Sequence, residues 1–193
     1  MKKKLGPVPL LYPMPALLVG TFNEDGTPNA MTAAWAGICC QRPPCLGVAI
    51  RQNRLTLQNI DARRAFTINI PPVELVTEVD YLGLVSGKEE PDKIHLANLE
   101  AIPGDVADAP ILTDCPINIE CEGRNKLIIG SHAWVIGEIV EVHIDEEILD
   151  RQGKVDAEAL DPLIYCTSTR TYHCLGEQVG RAFFQGLEIK KKT

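Results

Sequence analysis

The sequence predicts a mainly β fold, an antiparallel barrel with short helices around it. Four β-rich runs between residues 17 and 50 follow one another with turns and no helix between them. That order implies antiparallel pairing, because parallel neighbours need a long crossover. Residues 135–144 alternate apolar and polar side chains, the pattern of a half-buried strand. The helical periodicities are short and sit between strands, as peripheral cover.

Each element follows in turn. Residues 17–22 form a first strand, and Asn23-Glu24-Asp25-Gly26-Thr27-Pro28 is strong turn chemistry, so residues 17–34 make a hairpin. Residues 37–40 form a third strand, turned by Gln41-Arg42-Pro43-Pro44 into a fourth over residues 45–50. A short helix covers residues 54–63, and a strand over residues 65–70 stops at Pro71-Pro72. Val73, Leu75, Val76, Val79, Leu82 and Leu84 have helical spacing, and residues 86–93 read as a polar loop. Residues 101–116 carry three prolines and read as irregular. A long strand over residues 117–130 is expected to break near Glu122-Gly123, followed by the alternating strand. Residues 145–160 are acidic, with a turn at Gln152-Gly153-Lys154 and a short helix after Asp156. Short extended pieces follow at residues 163–165 and 171–175. The tally is about eight strands and two or three short helices, with no repeat and no linker, so residues 1–193 are expected to form a single domain.

Composition narrows the function. Aromatic residues make up only 5% and the formal net charge is −7, which argues against a nucleic-acid surface. Lys2-Lys3-Lys4 and Lys190-Lys191-Lys192 read as solvated terminal charges. No apolar run reaches the length of a membrane span, and Gly6-Pro7 and Pro9 interrupt any signal-peptide core. A cytoplasmic protein is expected, with its seven cysteines as thiols rather than a disulfide framework.

Two segments carry the chemistry. Asn29, Ala30, Met31, Thr32, Ala33, Ala34 and Trp35 end a strand in small, hydroxyl and amide residues. Small residues let backbone groups approach a ring edge. Arg51, Gln52, Asn53, Arg54, Leu55 and Thr56 then open a helix with two guanidinium groups, an amide and a hydroxyl. Such a helix start suits a phosphate. Together they fit a planar cofactor with a phosphate tail.

These segments occur in order with Arg42-Pro43-Pro44, Phe66 to Asn69, Asp92-Lys93, Ser131-His132 before Gly137-Glu138, and Tyr172 to Gly176. In that order the chain resembles the flavin reductase-like FMN-binding split-barrel family, in its flavoredoxin-type branch. The resemblance implies a six-stranded antiparallel Greek-key split barrel with short peripheral helices and a C-terminal extension. It implies a homodimer and noncovalent FMN near the interface. It also implies an oxidoreductase that exchanges electrons with NADH, NADPH or a redox protein, the acceptor being free flavin, ferric iron or a partner protein. Asn29, Met31, Thr32, Ala33, Ala34 and Trp35 would then lie along the isoalloxazine. Arg51, Asn53, Arg54, Leu55 and Thr56 would hold the ribityl phosphate, with Arg54 foremost. Ser86, Gly87 and Lys93 could close over the phosphate or ring, although Lys93 reads equally well as a surface lysine. His132 would lie near a nicotinamide. Relatives carry Gly-Asp-His at that strand start, and here Ser131 replaces the acid, which removes a carboxylate partner for the imidazole. Ser131, His132 and Asp145 are not expected to form a nucleophilic triad, since transfer between two bound rings depends on alignment.

The cysteine spacings are not those of a zinc site. Cys39, Cys40, Cys45, Cys115 and Cys121 read chiefly as buried, inert thiols. The alternative is a metal contact or a redox thiol beside the flavin, with Cys39 or Cys45 passing electrons to ferric iron or a disulfide. The competing class of function is a non-enzymatic split-barrel module for haem or another small molecule.

Overall fold

The computed structural model describes residues 1–190, so Lys191 and Lys192 of the terminal lysine run lie outside the described residues. In chain order the strands and helices begin with β1 (Met14–Pro15), β2 (Leu17–Phe22), β3 (Pro28–Ala33), β4 (Ala36–Gln41) and β5 (Pro44–Arg51). Next come α1 (Leu55–Arg63), β6 (Ala65–Ile70), α2 (Val76–Leu84) and α3 (Lys93–Leu96). Then follow β7 (Ala101–Pro103), β8 (Pro110–Leu112), β9 (Ile117–Ile129), β10 (His132–Ile144) and α4 (Ala157–Leu160). The last are β11 (Ile164–Cys166), β12 (Thr171–His173) and α5 (Leu187–Lys190).

The main sheet runs β3-β2-β6-β9-β10-β5-β4 and is antiparallel at every pairing. It rolls until β3 meets β5 without entering a ladder with it, and that seam is the split of the barrel. Alternation along β2 and β3 sorts the core. Leu17, Val19, Met31 and Ala33 point inward with Val48, Ile50, Phe66 and Val135, and Leu57 and Ile60 of α1 close one end. Leu18 and Ala30 point outward against Val79 and Leu82 of α2 and Ile94 of α3. Strand β3 is therefore clamped between barrel and helices, a rigid base for a site.

The structure corrects several expectations. The main sheet has seven strands, not six, because β4 pairs along the outer edge of β5. Residues 101–116 contain a short antiparallel pair, β7 with β8, where prolines suggested irregular chain. Strand β9 does not break near Glu122-Gly123; instead its register against β10 shifts between Ile136 and Gly137. The shift absorbs the extra residue as a bulge. The loop read over residues 86–93 ends one residue early, since Lys93 opens α3 and is buried. No described helix is long and apolar enough to cross a membrane.

Residues 104–109 fold around one buried carboxylate. Glu120 on β9 accepts from the backbone N–H of Asp105 at 2.9 Å, Val106 at 2.9 Å and Ala107 at 2.6 Å. His143 Nε2 lies 2.6 Å from Oε1, the oxygen that also accepts from Asp105. Burial alone would raise this carboxyl, but the His143 contact and the three N–H groups outweigh it and hold it below its ordinary value.

Candidate functional site

The site grows from the clamp on β3. Asn29 is buried at the start of that strand and donates from Nδ2 to Thr56 Oγ1 at 3.1 Å and to Thr21 Oγ1 at 3.3 Å. This ties β3 to the first turn of α1. Asn29 Oδ1 in turn faces Gly87, where an added Cβ would come within 2.4 Å of it. Only glycine permits that approach, and it draws the Ser86-Gly87 loop down beside Thr56. Thr32 on the opposite face donates to the Val79 carbonyl, which sets α2 against β3. An added Cβ on Gly83 would lie 3.2 Å from Thr32 Cβ, so the end of α2 packs closely there too.

Two cations meet in this corner. Arg54 occupies the N-cap position of α1, no side chain caps the helix, and its guanidinium makes one long bond, 3.4 Å to the Gly83 carbonyl. Lys93 is 2% exposed and reaches only carbonyls, Val85 at 3.2 Å and Leu82 at 3.4 Å. Neither cation has a carboxylate partner among the described residues. Burial, with the nearby Arg54 charge adding to it, brings the Lys93 ammonium down to about 8. Thr56 accepts from Asn29, and its own proton has no acceptor among the described residues. Two unneutralised cations, a free hydroxyl proton and an uncapped helix start converge in one place. That donor set fits a phosphate dianion.

A second part of the site begins where β3 ends. Trp35 stacks on His132 with ring centroids 5.0 Å apart and planes 28° from parallel. Ser131 Oγ lies 2.8 Å from His132 Nδ1, so a hydroxyl occupies the place that an acid would take. Two clefts share Ala34 as a wall. One, of about 320 Å³, is bounded by Thr32, Gly83, Tyr165, Arg170 and Tyr172. The other, of about 340 Å³, is bounded by Leu10, Leu11, Met14, Trp35 and Trp134. Because β3 ends the strand order, one row of its backbone groups lies outside the ladder at this edge.

The sequence-predicted residues thus divide. Asn29, Arg54, Leu55, Thr56, Ser86, Gly87 and Lys93 gather at the cationic corner, Thr32, Ala34 and Trp35 line the clefts, and His132 stacks on Trp35. Met31 and Ala33 send their side chains into the barrel core, which leaves only backbone for a ligand. Arg51 and Asn53 are exposed in the turn before α1, and Arg51 is the register partner of His132 rather than of Lys93. Sequence reasoning missed Tyr165, Arg170 and Tyr172 as cleft residues. The rings of the two tyrosines lie 5.5 Å apart, and Tyr172 donates to Asp80 at 3.1 Å. Burial first and Asp80 second push the Tyr172 hydroxyl up to about 12. The only sequence signal was that Tyr172 begins the C-terminal segment of the resemblance.

A larger open cleft of about 510 Å³, near Asp25, Asp92, His95 and Glu100, contains none of the predicted residues. Its carboxylates oppose an anion. The cysteines also depart from expectation. Cys39 and Cys40 are exposed, whereas Cys45, Cys115 and Cys121 are buried. Cys45 lies six residues from Arg51 along β5, about 20 Å at the rise of a strand.

Sequence and fold both resemble known proteins. The Flavin reductase like domain family matches residues 10–173. The fold is similar to flavoredoxin of Desulfovibrio vulgaris (Miyazaki F), with a TM-score of 0.91 and 41% identity, covering 96% of this chain and 100% of that one. It is also similar to flavoredoxin from Methanosarcina acetivorans, with a TM-score of 0.91 and 30% identity, covering 98% and 99%. An uncharacterised protein of Aeropyrum pernix is 31% identical over 161 residues, which span 83% of this chain and 60% of that protein. The chain belongs to the flavin reductase-like, FMN-binding split-barrel family, in its flavoredoxin-type branch.

Proposed function

We propose that this protein is an FMN-dependent oxidoreductase that moves electrons between a donor and an acceptor while keeping its flavin noncovalently bound. The observation that carries the reading is the pair Arg54 and Lys93, two close cations with no carboxylate partner among the described residues. A buried charge is costly unless compensated. The ribityl phosphate would supply the missing compensation, with Thr56 and the first turn of α1 as further donors. Met31, Thr32, Ala33 and Ala34 would present backbone groups to the ring edge, and Trp35 would wall the ring. Arg51 and Asn53 would act at the outer rim. Bound FMN supplies the redox chemistry, since it takes up and releases electrons in single or paired steps. The protein's own contribution is to hold the tail, fix the ring plane and limit water.

The donor would be NADH, NADPH or a redox protein, and the acceptor free flavin, ferric iron or a partner protein. One observation favours the protein-donor version. His132 Nδ1 faces the Ser131 hydroxyl rather than a carboxylate. A homodimer is part of the proposal. Leu127, Ile128 and Ile129 are each more than half exposed at the end of β9, a run of apolar surface that a second copy would cover. Sedimentation of the FMN-loaded protein at the mass of one chain would remove that part.

The test is direct. Protein supplied with FMN should show the two visible flavin bands and release FMN on denaturation, whereas a Soret band would support the haem alternative. Arg54→Ala should weaken FMN binding by about 1.5–3 kcal/mol, the range for a hydrogen bond to a charged group. Unchanged affinity in a fluorescence titration would mean that the phosphate lies elsewhere. Stopped-flow mixing with NADH, NADPH and a reduced ferredoxin then separates the donors.

A further inference from the structure

Strands β4 and β5 form a hairpin in which β4 is the edge of the main sheet. From Gly37 to Gln41 every residue of β4 is exposed. Its turn, Arg42-Pro43, is closed by the pair Gln41 and Pro44. One step further in, Cys40 stands directly opposite Cys45. The register shifts between Ile38 and Cys40, so Cys39 is the extra residue of a bulge and faces no partner of its own. Cys40 is exposed and Cys45 is 7% exposed, and both are free thiols.

Opposed residues of an antiparallel pair carry their side chains on the same face, with Cβ atoms about 4.5–5.5 Å apart. A disulfide closes at a Cβ separation of about 3.5–4.5 Å and tolerates Cα separations of about 4.4–6.8 Å. A hairpin end of this kind needs little movement to pass from one to the other. The two thiols also feel each other: burial, then the neighbouring Cys40 and Cys39, raise the Cys45 thiol above its ordinary range. The pair therefore combines an accessible nucleophile with a sheltered partner in register.

We propose that Cys40 and Cys45 form a dithiol–disulfide site that exchanges with low-molecular-weight disulfides. The Cys40 thiolate attacks one sulfur of the incoming disulfide. That S–S bond breaks, a mixed disulfide forms on Cys40, and the first small thiolate leaves and takes a proton. Cys45 then loses its proton to solvent and attacks the Cys40 sulfur of the mixed disulfide. The Cys40–Cys45 bond forms and the second small thiol leaves. The protein dithiol is oxidised by two electrons, and the external disulfide is reduced to two thiols. The exposed residue is the entry point because thiol attack requires access. Cys115 and Cys121 take no part, since burial drives their thiols up to about 12. The exchange uses only these two thiols and an external disulfide, so it neither requires nor supports the flavin reading.

The experiment treats the full-length, folded protein with glutathione disulfide and then quenches with acid. The thiol count under denaturing conditions should fall from seven to five, as one internal bond forms. Peptide mass spectrometry should place that bond between Cys40 and Cys45. Cys39→Ser should retain the bond. Cys45→Ala should arrest the reaction, leaving a glutathione adduct on Cys40. Should Cys45→Ala fail to fold, Cys40→Ser at its exposed position serves instead and should abolish the bond. A bond from Cys39 to Cys45 would overturn the proposal. So would a bond between two copies, a stable adduct on Cys40 of the unmodified sequence, or no loss of thiols.

Discussion

Lys93 and Glu120 are both buried charged side chains, at 2% and 0% exposure, yet their surroundings are opposite. Glu120 is neutralised by its own protein: three backbone N–H groups and His143 meet its two oxygens within 2.6–2.9 Å. Lys93 receives two carbonyls at 3.2 and 3.4 Å, no carboxylate, and a second cation close by. The difference separates structure from function. A buried charge whose partners are all internal anchors the chain, here residues 104–109. A buried charge left short of partners marks where a ligand completes the set.

The sharpest way to break this comparison is to remove the satisfied charge. Glu120→Ala should destabilise the protein by about 3–5 kcal/mol in urea unfolding, because it strands His143 and three N–H groups. FMN affinity of the folded fraction should not change. The same contact has an acid limb. A carboxyl held low in the folded state contributes stability above its ordinary value near 4.5, and that contribution is lost as pH falls through the folded value. A variant as stable as the parent would show that the loop does not depend on Glu120.

Removing the unsatisfied charge should do the reverse. Lys93→Met keeps the aliphatic stem and discards the ammonium. The apoprotein should gain about 1–3 kcal/mol, while FMN binding weakens by about 1.5–3 kcal/mol. The pH dependence carries the same sign. Between about 8 and 10.5 the unfolded lysine holds a proton that the folded one has released. Unfolding free energy therefore rises with pH across that window, by about 3 kcal/mol at most, and the rise should be missing from Lys93→Met. A loss of apoprotein stability on substitution would mean that Lys93 is a structural residue like Glu120.

Much of this was legible in the sequence. Alternation and turn chemistry located the strands of the barrel, and the α1 boundaries followed from the spacing of Leu55, Leu57 and Ile60. Arg54 and Thr56 could be placed at a helix start because local pattern governs helix starts. What was hidden is long-range. Lys93 read equally well as a residue closing over the phosphate or ring and as a surface lysine, and only the packing of α3 against α2 and β3 shows that it is buried. Nothing local to Asn29 shows that its amide bonds Thr56, 27 residues away. Arg170 and the tyrosines reach the cleft through the three-stranded sheet β1-β11-β12, a pairing of the two ends of the chain that periodicity cannot reveal. Glu120 fell in an ordinary alternating strand, with no sign of the loop that would wrap it.

His132 supplies the smallest test and the finest one. It is half-buried, stacked on Trp35 and bonded to Ser131, so it belongs to neither class above. His132→Ala should cost about 0.5–1.5 kcal/mol of stability, the value of the lost ring contact. FMN affinity should hold, because the tail-binding cations are untouched. The informative quantity is the KM for NADH or NADPH. If the imidazole receives the nicotinamide, KM rises several-fold while bound FMN stays constant. If electrons arrive from a protein donor, reduction by that donor and the reaction with either nucleotide are both unaltered. The first outcome would make Ser131 a tuned replacement for the family's acid. The second would make it the residue whose lost carboxylate ended nucleotide use.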